Sequence, residues 1–81
     1  MKLPRDISGH DLAKAIAIFG YVMDHQTGSH MRLTTRVPSE HHVTIPAHDP
    51  IKIGTPNSIL RDIGEHVKLD RAALLERLFA K

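Results

Sequence analysis

The chain contains no cysteine, so it can hold neither a disulfide framework nor a thiolate zinc site, and it needs no oxidising compartment. Long apolar runs are missing as well; the longest is far too short to span a bilayer. The opening Met1-Lys2-Leu3-Pro4-Arg5-Asp6 lacks the apolar core of a secretory signal. No internal repeat, low-complexity tract or linker is visible. These absences lead us to expect a soluble, cytoplasmic protein with no membrane partner. At 81 residues the chain reads as one domain over 1–81, able to bury about 60 to 65% of its unfolded surface.

Acidic residues are scarce where basic ones gather. From His25 to Arg61 the chain carries four Arg or Lys (Arg32, Arg36, Lys52, Arg61) and five histidines (His25, His30, His41, His42, His48), against the two acids Glu40 and Asp49. The formal net charge of +2 conceals this asymmetry. Positive charge clustered on one segment is the footprint of a polyanion partner, although a basic stretch can also be no more than a solvated face.

Local patterning gives an order of elements. Ser8 is placed to cap the amide of Asp11, with Asp11 reaching back and Ile7 stapling onto Leu12. From Gly9 the apolar positions Leu12, Ala13, Ile16 and Ala17 repeat at helical spacing, and Gly20 supplies a left-handed cap. Tyr21 to Gln26 reads as a strand, Thr27-Gly28 as a reversal, and Ser29 to Thr35 as a second strand. That second strand puts Met31, Leu33 and Thr35 on one face and His30, Arg32 and Thr34 on the other. A third strand runs His42 to Ile45, with Val43 and Ile45 inward and Pro46 ending it. The residues Met23, Met31, Leu33, Val43 and Ile45 are expected in the core. Beyond the polar loop Ala47 to Gly54, Thr55 as N-cap and Pro56 in the first turn open a helix through Ile63 that closes at Gly64. Leu69, Asp70 and Leu74 form the staple and cap of a short last helix with an apolar stripe of Leu74, Leu75, Leu78 and Phe79. The expected class is α+β, a three-stranded antiparallel meander with helices on one face and the other face left to solvent.

One short run on that open face carries chemistry. Gly28-Ser29-His30 places a histidine at a tight turn, two residues before Arg32 on the same strand face. A histidine with an ordinary pKa of about 6.5 can exchange protons near neutrality, and the adjacent cation suits a phosphodiester. The letters Gly28-Ser29-His30-Met31 also spell a common expression-vector remnant. Such remnants follow a tag at the start of a chain, whereas here well-patterned sequence precedes the run and period-2 alternation continues through it.

Three blocks together resemble a known family: Lys2-Leu3-Pro4-Arg5 with Ser8-Gly9; Gly28-Ser29-His30; and Val43-Thr44-Ile45-Pro46, His48, Gly54-Thr55 and Ser58-Ile59-Leu60. In this order and spacing the chain resembles the HicA toxins, mRNA interferases of toxin–antitoxin modules with a double-stranded-RNA-binding-domain-like fold. The resemblance implies that His30 matches the family's catalytic histidine, and that Gly28 and Ser29 shape the turn presenting it. It also implies a ribosome-independent endoribonuclease that acts on single-stranded RNA and mRNA, arrests translation and growth, and is neutralised by a HicB-type antitoxin. The chain departs from the pattern at Pro56 and Asn57, where the family more often has a leucine and a basic residue, so no RNA contact is carried over there.

RNA brings its own nucleophile, the 2′-hydroxyl, so an enzyme need only align the phosphodiester, move protons and stabilise phosphoryl charge. His30 is the expected general acid or base, and Arg32 the expected phosphate contact. Products would be a 2′,3′-cyclic phosphate and a 5′-hydroxyl, with no metal or cofactor. Lys52 is carried as a further substrate contact, and Arg61 is weighed against plain solvated charge. His25 is read either as a second acid–base partner or as a strand histidine without a role, and Asp24 as orienting an imidazole or merely solvated. His41, His42 and His48 lack the i, i+4 helical spacing of zinc peptidase motifs. The rival to an enzyme is a non-catalytic RNA-binding module gripping shape and phosphate; a structural or antitoxin-like partner would carry a neutral or acidic middle segment.

Overall fold

The computed structural model describes residues 6–51 and 54–79. The block Lys2 to Arg5 and Lys52 lie outside the described residues. The order is α1 (Gly9–Ile16) continued by a 3-10 turn (Ala17–Phe19), β1 (Val22–Thr27), β2 (His30–Thr35), β3 (His41–Pro46), α2 (Thr55–Val67) and α3 (Arg71–Phe79). The sheet is antiparallel in the order β1-β2-β3, so β2 is central. This is the expected α+β class, consistent with the double-stranded-RNA-binding-domain-like arrangement.

Helix starts follow their side-chain caps. Ser8 accepts from the Asp11 amide at 3.0 Å, which satisfies one of the first-turn donors that a helix leaves without a partner. Asp70 does the same for Ala73 at 2.8 Å. Gly20, at φ 85°, closes the 3-10 turn. The start of α2 differs from the expectation: the cap is Gly54, at φ 98°, with no side-chain bond, and Thr55 and Pro56 already lie in the helix. Proline suits that first turn because its missing N–H would have no partner there.

The end of α2 differs too. Gly64 does not stop the helix, which runs on to Val67 and is capped by Lys68 in the left-handed conformation, with its N–H on the Gly64 carbonyl. Gly64 matters through its size. A Cβ there would stand 3.0 Å from the Leu69 carbonyl oxygen and 3.6 Å from Leu74, so its lack of a side chain lets the α2–α3 connection fold back tightly.

The helices cover one face of the sheet. Met31, Leu33, Val43 and Ile45 point into a core completed by Leu12 and Ile16 of α1, Ile59, Leu60 and Ile63 of α2, and Leu74 and Leu75 of α3. Along β2 the burial alternates strictly through Met31, Leu33 and Thr35, as period-2 geometry requires. Met23 departs from the expected core. It pairs with Leu33 but is 48% exposed, because β1 is an edge strand and α1 and α2 pack on β3 at the far side of the sheet.

Candidate functional site

The β1–β2 hairpin reverses through two residues, Gly28 and Ser29, with Thr27 paired to His30 across its mouth. Gly28 has φ 54°, and glycine with positive φ at the first central position marks the II′ turn, whose twist matches that of the flanking strands. The turn is also tied from its other side: the Ser29 carbonyl accepts from the Ala47 amide. His30 is thereby fixed as the first residue of the central strand, between Thr27 on β1 and Pro46 on β3. His30 and Met31 pair with strands on both sides and Gly28 and Ser29 form the turn between β1 and β2, so the Gly28 to Met31 run is built into the hairpin.

Cross-strand partners in an antiparallel sheet share a face. The open face therefore carries His30, Arg32 and Thr34 of β2, His25 and Thr27 of β1, and His42 and Thr44 of β3. Asp24 joins them by simple alternation from the inward Met23, and the register slips between Met23 and His25 so that His25 faces the same way. Such a bulge sets two residues against one and redirects a side chain.

A hydrogen-bonded chain runs across this face. Arg32 Nε donates to Asp24 Oδ1 at 3.3 Å, and the Thr34 hydroxyl donates to Asp24 Oδ2 at 2.7 Å. Thr34 Oγ1 also lies 2.7 Å from His42 Nδ1, and His42 Nε2 lies 3.1 Å from Glu40. The Thr34 hydrogen bond holds the Asp24 carboxyl below the usual carboxylate range, and the Arg32 guanidinium adds to the effect. The Asp24–Arg32 contact uses Nε and not the terminal nitrogens of the fork. Asp24 is thus a partner of Arg32 rather than an orienter of an imidazole. His25 Nε2 meets Thr27 Oγ1 at 2.8 Å. His30 is exposed, and no bond to its imidazole occurs among the described residues. A depression of about 350 Å³ beside the chain is lined by Val22, Asp24, Thr34 and Arg36.

The expected site residues separate into groups. Gly28, Ser29, His30 and Arg32 come together on one hairpin, with His25 and Asp24 beside them. Arg61 is exposed on α2, within the helical layer. His41 and His42 are strand neighbours and so point to opposite sides. His41 turns under the sheet, where its Nδ1 meets the Tyr21 hydroxyl at 2.7 Å and its ring stacks on His66. Among the described residues no group of three or more His, Cys, Asp or Glu side chains is placed to hold a metal ion.

Fold and open face define a small α+β protein whose acid–base and cationic side chains gather on the uncovered side of a helix-backed sheet. The sequence model of the HicA toxin of bacterial toxin–antitoxin systems matches residues 9–65, from the start of α1 through most of α2. The chain belongs to the HicA toxin family, and a toxin of such a module is paired with a cognate antitoxin. No curated protein and no solved structure matches it.

Proposed function

We propose that this toxin is an endoribonuclease: a cytoplasmic, ribosome-independent and metal-independent mRNA interferase that arrests translation and growth until a HicB-type antitoxin covers its open face. The observation that carries this reading is the pairing of His30, exposed and without a bond among the described residues, with Arg32 two residues along the same strand face. His30 moves a proton between the protein and the reacting ribose-phosphate. Arg32 holds phosphoryl oxygen through its terminal nitrogens while Asp24 steadies Nε. Gly28 and Ser29 set the position of His30, and Lys52 adds a further cation. A positioned acid–base group contributes about 10² to 10⁴ in rate, which makes this a modest nuclease.

The 2′-hydroxyl attacks the adjacent phosphorus, so RNA is cut and DNA is not. Purified protein is therefore expected to cleave single-stranded RNA in EDTA, leaving 2′,3′-cyclic phosphate and 5′-hydroxyl ends. His30→Ala loses both cleavage and growth arrest while keeping its fold and most of its RNA affinity. Strict dependence on added magnesium, or a fully toxic His30→Ala variant, overturns the reading.

A further inference from the structure

We propose that His25 is the second proton-transfer group of this reaction, standing with His30 beside a phosphate held on Arg32; the proposal rests on the ribonuclease reading above. Transphosphorylation moves two protons. The O2′–P bond forms as one group takes the 2′-hydroxyl proton, and the P–O5′ bond breaks as another supplies a proton to the leaving 5′-oxygen. One histidine cannot be base and acid at the same moment, and the open face offers a partner.

The bulge supplies it. Strict alternation from Val22 and Met23 would put Asp24 outward and His25 inward beneath the sheet. The register slip instead sets His25 directly across from Arg32 and leaves Asp24 on the open face as well, bonded to Arg32 and Thr34. The backbone irregularity thus sets a second imidazole beside the Arg32 that Asp24 already steadies. His25 and His30 become diagonal neighbours about Arg32, a relation that spans about 7 to 8 Å between strands, room for a phosphate between two rings. Thr27, opposite His30, bonds His25 Nε2 at 2.8 Å and fixes that ring.

The two histidines of β3 are already engaged. Both ring nitrogens of His42 are bonded, to Thr34 and Glu40, and His41 faces Tyr21 and His66 under the sheet. His25 keeps Nδ1 without a bond among the described residues.

The test is single-turnover cleavage of a short single-stranded RNA by the full chain from pH 5 to 9, comparing wild type, His25→Gln and His30→Ala. Wild type is expected to give a bell-shaped profile. His25→Gln removes one limb and lowers the cleavage rate by about 10² to 10⁴-fold with RNA affinity and melting temperature unchanged. A nucleoside 3′-(4-nitrophenyl phosphate), whose leaving group needs no proton, restores the variant that has lost the acid and not the other. If His25→Gln keeps the wild-type rate and both limbs while His30→Ala is inactive, His25 is not the partner and the His30 reading stands. If wild type does not cleave RNA, both readings fall.

Discussion

The imidazole rings of His41 and His66 stack with centroids 4.4 Å apart and planes 12° from parallel, joining the start of β3 to the last turns of α2. Burial holds His41 below the ordinary histidine range; His66 and His42 push it the same way, and Asp62 opposes them. Above pH 6.5, roughly the unfolded value, His41 is neutral whether the chain is folded or not. As the pH falls below that, the unfolded chain takes up the proton first, so the folded state loses stability until the depressed folded value is passed. Thermal melts between pH 7.5 and 5 are expected to fall more steeply for wild type than for His41→Gln, which keeps a polar partner for Tyr21 but cannot titrate. Parallel slopes would remove His41 from the acid response.

The same cluster responds to alkali with the opposite sign. Tyr21 is 2% exposed, and burial, with help from Asp62, pushes its hydroxyl up to about 12. Stability from this group is fully present below about pH 10, the ordinary tyrosine value, and is lost as pH rises through the folded value. Tyr21 is the single tyrosine of the chain, so the 295 nm absorbance change of tyrosinate reports on it alone. The native protein should titrate near 12 and the denatured chain near 10; a native midpoint near 10 would mean that Tyr21 is not held under the sheet.

Gly64→Ala sets helix propensity against packing. Alanine in an exposed helix interior is more favourable than glycine by about 1 kcal/mol. Gly64, however, is buried, and its new Cβ would press on the Leu69 carbonyl, a backbone atom. That segment is held by the Leu69 amide on the Gly64 carbonyl at 3.0 Å and by the start of α3 at Asp70. Because the carbonyl cannot swing away as a side-chain end could, the substitution is expected to lower the urea midpoint. A raised midpoint would show that the connection yields.

What could be read from the sequence was local. The Thr27-Gly28 signal announces a hairpin, which turns one residue later at Gly28-Ser29, alternation from His30 to Thr35 assigns the two faces of β2, and Ser8 and Asp70 mark their helix starts, because in each case the partners lie within a few residues. The bulge at Asp24 carries no comparable signal, so the strand pattern could not show that His25 shares the open face with Arg32 or that Asp24 bonds to it. The Tyr21–His41–His66 cluster joins residues 20 and more positions apart and exists only once sheet and helix have met. Met23 has the composition of a core residue but sits on an edge that the helices do not cover. At Gly64 a glycine near the end of an apolar stripe looks like a stop, whereas its use is close approach.

On the ribonuclease reading Arg32 is shared between Asp24 and phosphate, and salt dependence tests that sharing. Asp24 is already paired with Nε, so in free protein the guanidinium is partly neutralised, and this exposed pair contributes little to stability. In complex with RNA the terminal nitrogens would displace counterions from one phosphate. Arg32→Gln is therefore expected to leave the melting temperature near wild type. It should weaken single-stranded RNA binding and reduce the slope of log K against log salt by about 0.7, the release expected for one phosphate on a single strand. Asp24→Asn should act the other way, tightening binding at low salt by removing a carboxylate from the phosphate's path, while cleavage does not gain because Arg32 is less well held. Filter binding of an uncleavable 2′-deoxy oligonucleotide across 50 to 300 mM salt, about the span over which such slopes are read, measures affinity apart from catalysis. An unchanged slope in Arg32→Gln would mean that Arg32 serves the sheet network and not the phosphate.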